Sequence, residues 1–115
     1  MSERALGPLE EIEDGGARGY PAAPGGFTGL FAVRRGLDVW VYVNACPHVG
    51  LPLEMQPNRF LDGRKEKIVC TAHGARFRIE DGVCIAGPCL GDELEAVAHQ
   101  LDADGVIWVP ESAGR

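Results

Sequence analysis

Two short runs of the sequence hold the residue types best suited to inorganic chemistry: Cys46-Pro47-His48 and Cys70-Thr71-Ala72-His73. Each offers one thiol and one imidazole within a few positions, and each is followed shortly by a glycine, Gly50 or Gly74, where the backbone can turn closely around a bound group. Residues two apart in extended chain point to the same side about 6–7 Å apart along the backbone, so a loop that curls inward can bring both side chains onto one compact centre. Two such loops supply two sulfurs and two nitrogens. A single zinc ion accepts that set, although its usual arrangement pairs a Cys-Cys knuckle with a His-His helix. A division of one thiol and one imidazole per loop suits a binuclear centre, in which each loop sends its thiolate to one metal and its imidazole to the other.

The segments around these motifs read as short strands. Leu30 to Val33 is apolar, residues 35–38 form a turn, and Val39 to Val43 is β-branched and aromatic throughout, which together make a hairpin. Residues 44–63 carry Pro47, Pro52 and Pro57 and are expected to be irregular. Strand signals return at Lys67 to Cys70, at Ala75 to Ile79 and, after the Glu80-Asp81-Gly82 turn, at Val83 to Ala86. Residues 95–101 alternate, with Val97, His99 and Leu101 on one side; Asp104-Gly105 then turns into a last strand at Val106 to Val109. The Gly/Pro/Ala-rich residues 15–29 read as loop, and the first dozen residues, with Leu6, Leu9 and Ile12, show a weak helical spacing. Short strands with Gly/Pro turns imply an all-β fold, a small antiparallel sandwich or barrel.

The chain has 115 residues, room for one domain, and 17 acidic against 11 basic residues give a net charge of -6. That balance argues against a nucleic-acid or anionic-membrane surface. No apolar run approaches the roughly 20 residues needed to span a bilayer, and Met1-Ser2-Glu3-Arg4 does not open a secretion signal. A soluble, cytoplasmic protein with no nucleic-acid or membrane partner, monomeric on its own, is expected. In such a compartment four cysteines read first as ligands or buried thiols; Cys84 and Cys89 are expected to be small buried residues, a disulfide between them being disfavoured there. His99 is expected to be a strand residue, and the acidic run Glu10, Glu11, Glu13, Asp14 solvated surface.

The paired motifs, Cys46-Pro47-His48-Val49-Gly50 and Cys70-Thr71-Ala72-His73-Gly74, resemble the signature of Rieske-type 2Fe–2S proteins, C-x-H-x-G and C-x-x-H-G, in which two His replace two Cys on one iron. The resemblance runs on through Ala75-Arg76-Phe77, Asp81-Gly82 and Gly87-Pro88, about residues 30–110. It implies one Rieske-type 2Fe–2S cluster, with Cys46 and Cys70 on the buried iron and His48 and His73 on the outer one. It also implies a two-loop cluster-binding subdomain over about residues 44–75, a proline loop at about 86–90, an N-terminal strand and loop region over 1–29 in the same domain, and a tail over 111–115. Between His48 and Cys70 lie 21 residues, more than familiar members carry; the extra length, in residues 55–67, is expected to be a surface insertion.

Members from respiratory and photosynthetic complexes carry a further cysteine in each loop and a serine and tyrosine that donate hydrogen bonds near the cluster. The matching positions here are Leu51 and Ala72, and Ala75 and Phe77. Without those donors the potential is expected toward the low end of the family range of about -150 to +300 mV. Four protein ligands saturate such a cluster. A separate oxygenase iron needs two further histidines and a carboxylate, whereas His99 is the one histidine left. The resemblance therefore implies an electron carrier rather than an enzyme: a soluble ferredoxin taking electrons from a flavin-type reductase and passing them to an oxygenase or reductase. Two alternatives stand beside it, a small Rieske subunit of a larger reductase or oxidase complex, and a zinc-binding or cluster-free interaction module.

Overall fold

A computed structural model describes residues 3–21, 28–45, 47, 53, 60–70, 74–111 and 113. Their nine strands form three antiparallel three-stranded sheets. The first holds β1 (Glu3–Pro8), β9 (Val106–Pro110) and β8 (Gln100–Leu101), in the order β1-β9-β8. The second runs β2 (Ala17–Tyr20), β3 (Leu30–Arg35), β4 (Asp38–Val43), and the third β5 (Lys67–Cys70), β6 (Ala75–Arg78), β7 (Cys84–Ala86). The all-β expectation holds.

The middle sheet is the wall between two cores. Leu30, Ala32 and Val41 join Leu9, Ile12, Ile107 and Val109 on one side, whereas Phe31, Val33 and Tyr42 join Phe60, Ile68, Phe77 and Ile79 on the other. Period-two alternation sends successive residues to opposite faces, so a strand covered on both sides reads as an unbroken apolar run, Leu30 to Val33. The β3–β4 hairpin stands in the register that the sequence implies, with Leu30 opposite Val43 and Arg35 opposite Asp38. Segment 95–97 lies along its outer edge: Val43 N–H donates to the Glu95 carbonyl and Val97 N–H to the Val41 carbonyl, at 2.9 and 2.8 Å.

Four sequence expectations need correction. Among the described residues of the first dozen there is no α-helix: Glu3–Pro8 is a strand paired with β9, and one 3₁₀ turn at Leu9–Glu11 follows. Within the expected loop of residues 15–29, Ala17–Tyr20 is a strand on β3. Ala-Arg-Gly-Tyr has little intrinsic strand preference; an open edge of β3 supplies the hydrogen bonds that its composition does not advertise. Of residues 95–101 only Gln100–Leu101 is regular strand, and Leu101 is 39% exposed, so the alternation holds for Val97 and His99 and fails at its end. The stretch 55–67 is not simply surface. Phe60 is fully buried and stacks on Phe31 with ring centroids 4.5 Å apart, and Leu61 bridges Ile68.

Candidate metal centre

Of the four expected ligands, Cys70 lies among the described residues; Cys46, His48 and His73 lie outside them. Cys70 ends β5, opposite Ala75 of β6. It is 1% exposed, because alternation along these strands turns Ile68, Cys70, Ala75, Phe77 and Cys84 to one buried face while Arg76 and Arg78 face water. Four residues on, Gly74 N–H donates to the Cys70 carbonyl at 2.7 Å. Gly74 has φ +72, the left-handed region that a side chain rarely adopts. The chain is thus drawn together between Cys70 and Gly74.

The chain on either side of the first motif is also drawn together, by a residue that motif reading missed. Asn44, 8% exposed, accepts the Leu53 N–H on its Oδ1 at 2.9 Å, which brings positions 44 and 53 together. Asn44 N–H itself donates to the Gly29 carbonyl at 2.9 Å. The available signal was an Asn directly between a strand and a proline-bearing loop, a position where its side chain commonly bonds backbone.

A third segment rests on the second motif. Gly87, φ +100, approaches so closely that a Cβ there would stand 2.7 Å from Ala75 Cα and 3.1 Å from Ala75 N. Ala86 and Gly87 therefore lie against the strand that leaves the Cys70–Gly74 turn, Ala86 paired with Arg76. Cys84 in β7 and Cys89 in this segment are each 2% exposed, as expected of small buried residues, and their Sγ atoms are 3.1 Å apart.

The other titratable groups serve the fold. His99 places Nδ1 3.0 Å from the Val97 carbonyl and Nε2 3.0 Å from the Val39 carbonyl, engaging both ring nitrogens. Burial tends to raise the Asp62 pKa, yet the N–H groups of Glu66, Lys67 and Arg64, with Arg76, bring its carboxyl below the ordinary value. Asp81 is lowered by its pair with Arg78, and Asp102 by the indole N–H of Trp108. The acidic run is exposed but anchored: Glu13 reaches Lys65 at 3.5 Å, and Asp14 accepts Gly36 N–H at 2.7 Å. Among the described residues no three His, Cys, Asp or Glu side chains gather as a metal site.

The chemistry of this arrangement fits a sulfur-ligated cluster. A buried thiol at a strand end shares one apolar core with Leu53, the residue bound by Asn44, a setting that shields a thiolate-bound centre from water.

Comparison with known proteins agrees. No curated protein sequence matches the chain. In fold it is similar to the ferredoxin of carbazole 1,9a-dioxygenase from Nocardioides aromaticivorans IC177, with TM-score 0.73 and 22% identity over 96% of this chain and 99% of that one. It is also similar to a chain in a complex of reduced oxygenase and oxidised ferredoxin of carbazole 1,9a-dioxygenase, with TM-score 0.73 and 18% identity over 98% and 95%. A chain in the reduced complex between those two components matches with TM-score 0.75 and 21% identity; there this chain spans 29% of the matched chain's length. A model of the Rieske [2Fe-2S] domain matches residues 13–102, most of the sequence and all of the middle and third sheets, and the chain belongs to that family.

Proposed function

We propose that this protein is a soluble ferredoxin of cytoplasmic location. In this reading Cys46, His48, Cys70 and His73 hold one Rieske-type 2Fe–2S cluster, and single electrons pass from a flavin-type reductase to an oxygenase or reductase. When bound, such a cluster supplies reversible uptake of one electron. Residues 44–75 form the two ligand loops and 86–90 the covering loop, within a domain over 30–110 completed by the N-terminal strands. The observation that carries the reading is the Cys70–Gly74 turn: a ligand-type thiol, 1% exposed, inside a motif of the matched family. Similar folds occur in complexes of an oxygenase with a ferredoxin, which supports an oxygenase as the acceptor.

The chain's own residues explain a carrier role without catalysis. Asn44 ties position 44 to Leu53 and Gly74 ties back to Cys70, and in this reading these two ties draw the motif residues toward the cluster. Ala75 and Phe77 share the buried face with Cys70 and bring no hydroxyl donor to it. His99, the one histidine outside the motifs, has both ring nitrogens on backbone carbonyls and is spent on structure.

Metal and sulfide analysis of purified protein tests this directly. Wild type should contain iron and acid-labile sulfide in equal amounts and show a Rieske-type paramagnetic signal on reduction. Cys46→Ser and His73→Ala should each lose the cluster. Colourless protein carrying stoichiometric zinc, even after anaerobic reconstitution, overturns the proposal.

A further inference from the structure

Cys84 opens β7 and Cys89 lies in the segment that follows it, and neither belongs to the ligand set. Cys89 Sγ donates to Cys84 Sγ at 3.1 Å, and Cys84 Sγ in turn donates to the Ala86 carbonyl at 3.2 Å. A disulfide requires the sulfurs to close by about 1 Å, to about 2.05 Å, which rotation about two side-chain bonds supplies. The backbone between them is pinned at its neck, by Cys84 N–H on the Asp92 carbonyl at 2.8 Å. Asp92 N–H in turn donates to the Cys89 carbonyl at 2.8 Å, and between these points the turn carries two longer bonds, Leu90 N–H on the Gly87 carbonyl and Gly91 N–H on the Cys84 carbonyl, both at 3.3 Å. The residues flanking Cys89 are exposed, Leu90 at 68%. Buried thiols are ordinarily inert, so exchange at Cys89 requires a local opening of the turn that breaks these bonds, the one from Asp92 included, while Cys84 stays in its strand.

We propose that Cys84 and Cys89 form a reversible dithiol–disulfide couple that locks residues 85–90 onto Ala75. The oxidant is a small-molecule disulfide of the glutathione class. The Cys89 thiolate attacks one sulfur of the oxidant, forms a mixed disulfide and expels one glutathione thiolate. Cys84 then attacks Cys89 Sγ, the Sγ–Sγ bond forms, and the second glutathione leaves. The two protein thiols lose two electrons and two protons, and the oxidant becomes two reduced glutathiones. Any effect of the lock on the cluster rests on the ferredoxin reading above; the couple itself does not.

The sequence offers a direct measurement. No Lys or Arg lies between Arg78 and Arg115, so trypsin releases residues 79–115 as one peptide holding both cysteines and no other. Full-length holoprotein is equilibrated in glutathione buffers of graded ratio, quenched with acid, unfolded, alkylated and digested. The expected result is a peptide lighter by two hydrogens, closed to alkylation and restored by dithiothreitol. Cys84→Ser and Cys89→Ala should each lose that species, the former accumulating a glutathione adduct. Amide exchange at Leu90 and Gly91 should slow several-fold in oxidised wild type. A wild-type peptide that keeps two alkylatable thiols in fully oxidised glutathione, or that stops at the mixed disulfide, overturns the couple; unchanged amide exchange overturns the lock. Iron and sulfide are assayed on the untreated sample, so failure of the ferredoxin reading registers there and not in the peptide.

Discussion

Alanine at position 75 and phenylalanine at 77 define the polarity of the wall around Cys70, since all three face the same buried side of the third sheet. Donors aimed at a cluster or its ligand sulfur stabilise the added electron and raise the potential. The double variant Ala75→Ser, Phe77→Tyr should therefore shift the potential upward in voltammetry at fixed pH, from a wild-type value near the low end of the family range. Tyr42 is a second residue whose surroundings set a measurable property. Its hydroxyl donates to the Ile79 carbonyl, and burial, with Asp81 and Glu80 adding to it, pushes its pKa from 10.0 up to about 12. The folded state thus holds this proton more tightly than the unfolded chain. The resulting stabilisation is complete below pH 10 and disappears as the pH climbs toward 12. Tyr42→Phe should cost about 1 kcal/mol at neutral pH and flatten that alkaline decline, as denaturant titrations at graded pH will report.

At the level of elements, the close approach of the 86–90 segment to β6 depends on glycine twice over, through a left-handed φ and the absence of a Cβ beside Ala75. Gly105 offers the matched control: φ +80 in a turn with nothing within 4 Å of an added Cβ. Gly105→Ala should cost about 1–2 kcal/mol, the left-handed penalty alone. Gly87→Ala should cost about 1–3 kcal/mol more through overpacking and also speed iron loss to a chelator. Equal costs for the two would show that the 86–90 segment yields freely. Legibility in the sequence differed between elements for physical reasons. The β3–β4 hairpin was plain because its residues are β-branched, aromatic and buried on both faces. The strand Ala17–Tyr20 was hidden because its partner, and not its composition, makes it a strand. Pro8 and Gly7 break any helix that Leu6, Leu9 and Ile12 suggest, and β9 takes up residues 3–8 instead.

Across the whole molecule, two cores share the middle sheet, so neither half has a wall of its own. Phe31→Ala, cutting into the core that contains Cys70, should cost about 3–5 kcal/mol. Ile107→Ala, on the other side, should cost about 2–5 kcal/mol. Both should leave a single unfolding transition by circular dichroism and by tryptophan fluorescence; separated transitions would mean that the cores unfold independently. The amino-acid sequence alone carries the two Cys/His motifs, their glycines and the alternation that buries Cys70, because these are local patterns and local patterns are written in neighbouring residues. It also determined that the fold is all-β. Tertiary structure alone decided what lies against what. Phe60, inside a charged stretch, enters the core by stacking on Phe31; the Asn44 side chain reaches Leu53; and Cys89 meets Cys84 because the intervening turn folds back over Ala75. Such contacts depend on where the chain returns after a turn or on a distant partner, and no periodicity within one segment encodes that.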